Sequence, residues 1–143
     1  MDYISRNHSK YLLMVHLIFV CKYRKKLLIK FGEQIKTILY DIAEDRDLNI
    51  VEMEVDKDHI HLLIQYNPTQ SILEIVRHLK QISTYKIWRQ NDNAKYLFKH
   101  FWNESTFWSD GYFACSIGNV SKEVIEKYKK IKVRVIMSLH PLP

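Results

Sequence analysis

LNIVEMEVDKDHIHLLIQY, residues 48–66, is the stretch that sets the architecture of this chain. Its first half alternates, with Ile50, Glu52 and Glu54 against Val51, Met53 and Val55. The polar run Asp56-Lys57-Asp58 then turns the chain into a second apolar segment, residues 59–66, so the whole reads as a β-hairpin. Alternate strand residues face the same side, so His59 and His61 project together. Two neutral imidazoles on one face can grip a metal ion at about 2 Å. Taken alone, the pair is more plainly read as two half-exposed histidines on an amphipathic strand.

Upstream of the hairpin, residues 11–21 (YLLMVHLIFVC) are apolar on both faces, as in a central strand covered on both sides. They end in the basic turn Lys22-Tyr23-Arg24-Lys25-Lys26. Across residues 31–46, Ile35, Ile38, Leu39, Ile42 and Ala43 recur at helical spacing, with Glu33, Lys36, Asp41 and Glu44 outside. Downstream, Ser71 is placed to cap a second helix running to about residue 90, with Ile72, Ile75, Val76, Leu79, Ile82 and Ile87 as its inward stripe. An irregular aromatic stretch follows, holding Tyr96, Phe98, Phe101 and Trp102. Residues 106–117 read as a strand with a turn or bulge at Asp110-Gly111, broken by Gly118-Asn119. Ser121 caps a third helix bearing Val124, Ile125, Tyr128 and Ile131 along one side. Strand, helix, strand, strand, helix, strand is the α+β, ferredoxin-like (RRM-like) order: an antiparallel sheet with helices packed against it and a further C-terminal helix. That topology serves many functions, so function has to come from the site.

Length and composition narrow the class. A chain of 143 residues builds one core, and residues 1–143 read as one domain. With 47% apolar residues, three glycines and three prolines, low-complexity disorder is excluded and the regular elements should be long. The formal charge of +6 leans toward a polyanionic partner. Cys21 and Cys115 lie in apolar strand-like runs and read as reduced core thiols of a cytoplasmic protein. Residues 1–10 carry no apolar signal core, and the run 11–21 is too short to span a bilayer.

Three clusters bear on chemistry. His59 and His61 are candidate metal ligands, and a metal there would act as a Lewis acid on a phosphoryl oxygen. Tyr128 is the candidate nucleophile, three and four residues beyond Ile125 and Val124 on the docking stripe of the last helix; from spacing alone, a core tyrosine with a bonded hydroxyl is the plainer reading. A phenol needs assistance to attack, and the phosphodiester it forms keeps the bond energy needed for rejoining. Lys22, Arg24, Lys25 and Lys26, with the Tyr23 ring among them, suit a nucleic-acid stem and an unpaired base. Arg77, Lys80, Lys86 and Arg89 on the second helix are weaker candidates of the same kind. Trp88, Trp102, Phe107 and Trp108 read as core or dimer interface, and His16, His78 and His100 as structural.

The basic turn, the block Asp56-Lys57-Asp58-His59-Ile60-His61-Leu62-Leu63, and the run Phe107-Trp108-Ser109-Asp110-Gly111-Tyr112-Phe113 leading to Gly118-Asn119-Val120-Ser121 and Val124-Ile125-Glu126-Lys127-Tyr128 resemble the single-tyrosine HUH transposases of the insertion sequence 200 and 605 kind. The resemblance spans about residues 10–128, and 129–143 diverge from it. It implies a DNA transposase that cleaves and rejoins single-stranded DNA. His59 and His61 would be the paired ligands of magnesium or manganese, and Tyr128 the residue that becomes a 5′-phosphotyrosine. It further implies recognition of hairpins at the ends of the element and a homodimer in which one subunit's tyrosine helix can complete the other's histidine site. The family usually places a glutamine four residues after the tyrosine as third ligand. Here Lys132 stands there, and an ammonium has no lone pair to give. That departure admits a second expectation, a hairpin-binding protein with impaired catalysis, or a site completed by another group such as Asp58, Glu126 or water.

Overall fold

A computed structural model describes residues 3–6 and 9–117. The expected third helix, with Tyr128 and Lys132, lies outside the described residues. The central sheet has four strands, β3 (Leu13–Val20), β4 (Asn49–Val55), β5 (His59–Tyr66) and β6 (Phe113–Ile117), in the order β4-β5-β3-β6. Every pairing is antiparallel. Two neighbours of opposite direction leave β3 and β4 pointing the same way with β5 between them, and β5 and β6 pointing the same way with β3 between them. These are two interlocked split β-α-β units, the ferredoxin-like arrangement expected from the order of elements.

Helix α1 (Leu28–Asp45) joins β3 to β4, and α2 (Ile72–Arg89) lies between β5 and β6. The α1 stripe of Phe31, Ile35, Ile38, Leu39 and Ile42 and the α2 residues Ile75, Val76, Leu79 and Ile87 bury against Val15, Leu17 and Phe19 of β3 and Ile60, Leu62 and Ile64 of β5. Each such side chain withdrawn from water contributes roughly 1.5–3 kcal/mol, so this layer dominates the apolar stabilisation. Ser71 caps α2 as expected, its Oγ accepting from the Glu74 N–H at 3.1 Å. The β4–β5 hairpin forms with a register shift between Ile50 and Glu52. Among the described residues, no helix is long and apolar enough to cross a membrane.

One element is new and two expectations change. Residues within the polar N-terminal stretch form a short hairpin, β1 (Ile4–Arg6) with β2 (Ser9–Tyr11). The aromatic stretch expected to be irregular contains α3 (Asn93–Phe101), which buries Asn93, Leu97 and Phe101, each four residues from the last. The Asn93 amide donates to the Ile87 carbonyl at 2.9 Å and to Gln34 Oε1 at 2.7 Å, tying α3 to both long helices. Residues 106–117 do not form one strand. Trp108 makes a single bridge to Cys21, the chain breaks at Asp110-Gly111, and β6 begins at Phe113.

Candidate active site

Because Ile60, Leu62 and Ile64 face the helices, His59 and His61 must face the other side of the sheet. Both are buried, at 6% and 4% exposure, so they are not the half-exposed strand residues that the pair alone allowed. Their ring centroids lie 5.3 Å apart with planes crossing at 72°.

Each ring is held through Nδ1. His59 Nδ1 lies 2.8 Å from Asp58 Oδ1, and Asp58 Oδ2 in turn lies 3.6 Å from Arg24 Nε. A carboxylate only accepts, so neutral His59 carries its proton on Nδ1 and keeps its lone pair on Nε2. That Nε2 is buried and makes no hydrogen bond among the described residues, while Asp56 Oδ2 stands 3.9 Å away. A buried lone pair with no donor costs free energy unless something else takes it, and a divalent cation fits that need. His61 Nδ1 lies 3.1 Å from His16 Nε2. Among the described residues, no three His, Cys, Asp or Glu side chains gather into a metal-holding cluster. Asp58 is engaged with both His59 and Arg24.

His16, read from sequence as structural, is thus in direct contact with His61 of the pair. Burial pushes its imidazole pKa down to about 4, against the opposing pull of the Glu52 charge, so it is neutral at pH 7. The only available signal was that His16 is the one strongly polar side chain in the apolar run 11–21.

The basic turn is wired into the same corner. Lys22–Arg24 form a single 3-10 turn in which Tyr23 and Arg24 adopt left-handed φ of 59° and 53°. A non-glycine residue held there costs about 1–3 kcal/mol, yet here it returns Arg24 toward Asp58. Arg24 therefore faces the histidine site rather than solvent. Lys22 reaches Asp110 at 3.5 Å, Lys25 stands over the Phe101 ring at 5.9 Å, and Lys26 is exposed. The half-exposed Tyr23 hydroxyl donates to Glu104 at 3.5 Å, leaving the ring at the surface.

The cations of α2 divide. Lys80 turns inward, its ammonium donating to the carbonyls of Ser109, Asp110 and Gly111 at 2.6, 3.2 and 3.3 Å, so it clamps the break before β6. Burial lowers its pKa, opposed by Asp110. Arg77 and Arg89 line a groove of about 730 Å³ beside Tyr85 and Trp88, with Arg89 over the Tyr85 ring at 3.8 Å. Phe107 and Trp108 are core, and Trp88 is half-buried with its indole N–H on the Thr106 carbonyl at 2.9 Å. Trp102 is not core: it is 74% exposed, with its ring stacked on Phe98. Cys21 is a buried free thiol whose pKa burial raises, whereas Cys115 is only half-buried.

With that geometry in place, the comparisons with known proteins are specific. The sequence profile of the family described as "Transposase IS200 like" matches residues 9–131. The ISDra2 transposase TnpA of Deinococcus radiodurans is 32% identical over 119 residues, which cover 82% of this chain and 82% of that one. The transposase for insertion sequence element IS200 of Salmonella typhimurium is 26% identical over 131 residues, covering 90% and 82%. Among solved structures, a crystal structure described as a transposase of D. radiodurans superposes with a TM-score of 0.73 at 26% identity, covering 92% of this chain and 96% of that one. A REP-associated tyrosine transposase bound to a REP hairpin shares the fold, with a TM-score of 0.58 at 14% identity, covering 100% and 76%.

Proposed function

Because this chain belongs to the IS200-like transposase family, we propose that it is a DNA strand transferase that cuts and rejoins single-stranded DNA through Tyr128, with His59 and His61 holding magnesium or manganese. The observation that carries this reading is His59: its Nδ1 sits on Asp58 and its buried Nε2 makes no hydrogen bond among the described residues, beside the His61 ring. When bound, the ion would supply Lewis-acid polarisation of a phosphoryl oxygen and offset the charge that develops there. Tyr128 Oη attacks the phosphorus and the bond from phosphorus to the 3′ oxygen breaks. The phenol's proton ends on the departing oxygen, leaving a free 3′ hydroxyl and a 5′-phosphotyrosine. Attack by a new 3′ hydroxyl reverses the step, so no external energy source is consumed.

The proposed substrate is single-stranded DNA carrying hairpins. Lys22, Lys25 and Lys26 would meet phosphates and the exposed Tyr23 ring an unpaired base. Arg24 belongs to this group by position but works through Asp58. The relative bound to a REP hairpin supports hairpins as the ligand class. The proposed assembly is a homodimer in which the helix bearing Tyr128 serves either subunit's histidine pair.

One observation favours a second reading. Lys132 stands where a ligating glutamine is expected, and the described residues gather no third ligand from His, Cys, Asp or Glu. A protein that binds hairpins without cutting them would follow. Incubation with a hairpin-bearing single strand and Mn²⁺ separates the two. An adduct that survives denaturation and disappears in Tyr128→Phe supports the transferase; binding without adduct supports the module. In either case the logarithm of affinity should fall with the logarithm of salt at roughly −0.7 per phosphate neutralised.

A further inference from the structure

His59 and His61 are treated alike by their surroundings. Each has Nδ1 against a neighbour's polar atom, Asp58 Oδ1 at 2.8 Å for one and His16 Nε2 at 3.1 Å for the other. For His59 the partner fixes the tautomer by chemistry. We propose that His16 is a positioning residue for His61: its Nε2 accepts the Nδ1 proton and so holds His61 with the Nε2 lone pair directed to the metal. This rests on the metal-site reading above.

The sheet explains why His16 can do this. In the register between β3 and β5, Ile18 stands opposite His61 and His16 opposite Leu63. Residues directly opposite share a face, and so do residues two apart along a strand, which puts His16 diagonal to His61 on the side away from the helices. Such diagonal neighbours are about 7–8 Å apart at the backbone, within reach of two rings pointing at one another. The rings lie 5.3 Å apart with planes only 20° from parallel. Phe113 of β6, also opposite Ile18, meets the far side of His16 edge-on at 5.7 Å. His16 is thereby pinned between two strands, as an orienting group must be.

The tautomer matters because free histidine favours the proton on Nε2, which would cover the lone pair that a metal needs. An acceptor at Nδ1 reverses that preference. The two acceptors also suit their places. Asp58 sits at the start of β5 beside the Arg24 guanidinium, where a carboxylate is compensated. His16 lies at 4% exposure on a central strand, where a neutral acceptor avoids an uncompensated buried charge.

The experiment uses the full chain with ¹⁵N-labelled histidine, reading tautomers without metal from two-bond proton–nitrogen correlations, and then titrating Mn²⁺. Wild type should show His61 protonated at Nδ1. His16→Phe, which keeps the ring and removes the acceptor, should move His61 toward the Nε2-protonated form and weaken Mn²⁺ binding roughly 10- to 100-fold. His16→Gln, whose amide oxygen can accept, should restore both. Wild-type His61 protonated at Nε2, or an unchanged tautomer and affinity in folded His16→Phe, would overturn the positioning role while leaving a metal site. No Mn²⁺ binding by wild type would overturn the metal reading and this inference together. The wild-type tautomer needs no variant, so a His16→Phe chain that fails to fold does not remove the test.

Discussion

Consecutive residues along β3 and β5 serve opposite halves of the molecule. Leu17, Phe19, Leu62 and Ile64 pack under α1 and α2, while His16, Ile18, His59 and His61 lie on the other face of the same two strands. The helix face is uniformly apolar and closes one large core. The other face mixes small apolar groups, Met14, Leu63 and Ile117 in one and Ile18, Val20 and Phe113 in another, with buried imidazoles. A period of two lets one strand pair hold the core and the proposed metal site at once, since neither set of side chains has to make room for the other. It follows that adjacent substitutions in β5 should have unlike consequences.

The largest effect expected is His59→Ala, which should abolish the Mn²⁺-dependent protein–DNA adduct while leaving hairpin affinity within a few fold. Equal loss of both in a gel-shift assay would mean that the imidazole is structural and that the two faces do the same work. Next comes the opposite face: Leu62→Ala should cost about 2–5 kcal/mol in urea unfolding through lost burial and a cavity, with Mn²⁺ affinity of the folded chain unchanged. A parallel drop in metal affinity would erase the division between the faces. The smallest is Asp58→Ala, which removes the acceptor at His59 Nδ1 and should weaken Mn²⁺ binding roughly 10- to 100-fold by calorimetry. No change would show that the His59 ring holds its orientation by packing alone.

The helix face was readable because its signals are local and strongly periodic. The stripes of α1 and α2, the Ser71 cap and the 48–66 hairpin all appear where the spacing places them, with α1 beginning a few residues early at Leu28. The other face was readable only in its intra-strand part. His59 and His61 share a strand, so parity alone pairs them, whereas His16 joins them through a β3–β5 register that no local pattern encodes. The contact of Arg24 with Asp58 is hidden for a related reason: two left-handed residues carry the guanidinium back to Asp58, which no local pattern encodes. Helix α3 was hidden because exposed Tyr96 and Phe98 blur the four-residue spacing of Asn93, Leu97 and Phe101. Of the two places expected for Trp102, core or dimer interface, the core is excluded: it ends α3 at a left-handed φ of 55° with its ring exposed.

Under the proposed function, the face of the sheet turned away from α1 and α2 binds a divalent metal through its histidine pair. Titration of Mn²⁺ into the full chain, followed by electron paramagnetic resonance, tests it with His61→Phe, which keeps the buried ring and removes its nitrogens. Saturable binding by wild type that is lost in folded His61→Phe is the result expected. Identical binding isotherms for the two proteins would contradict it.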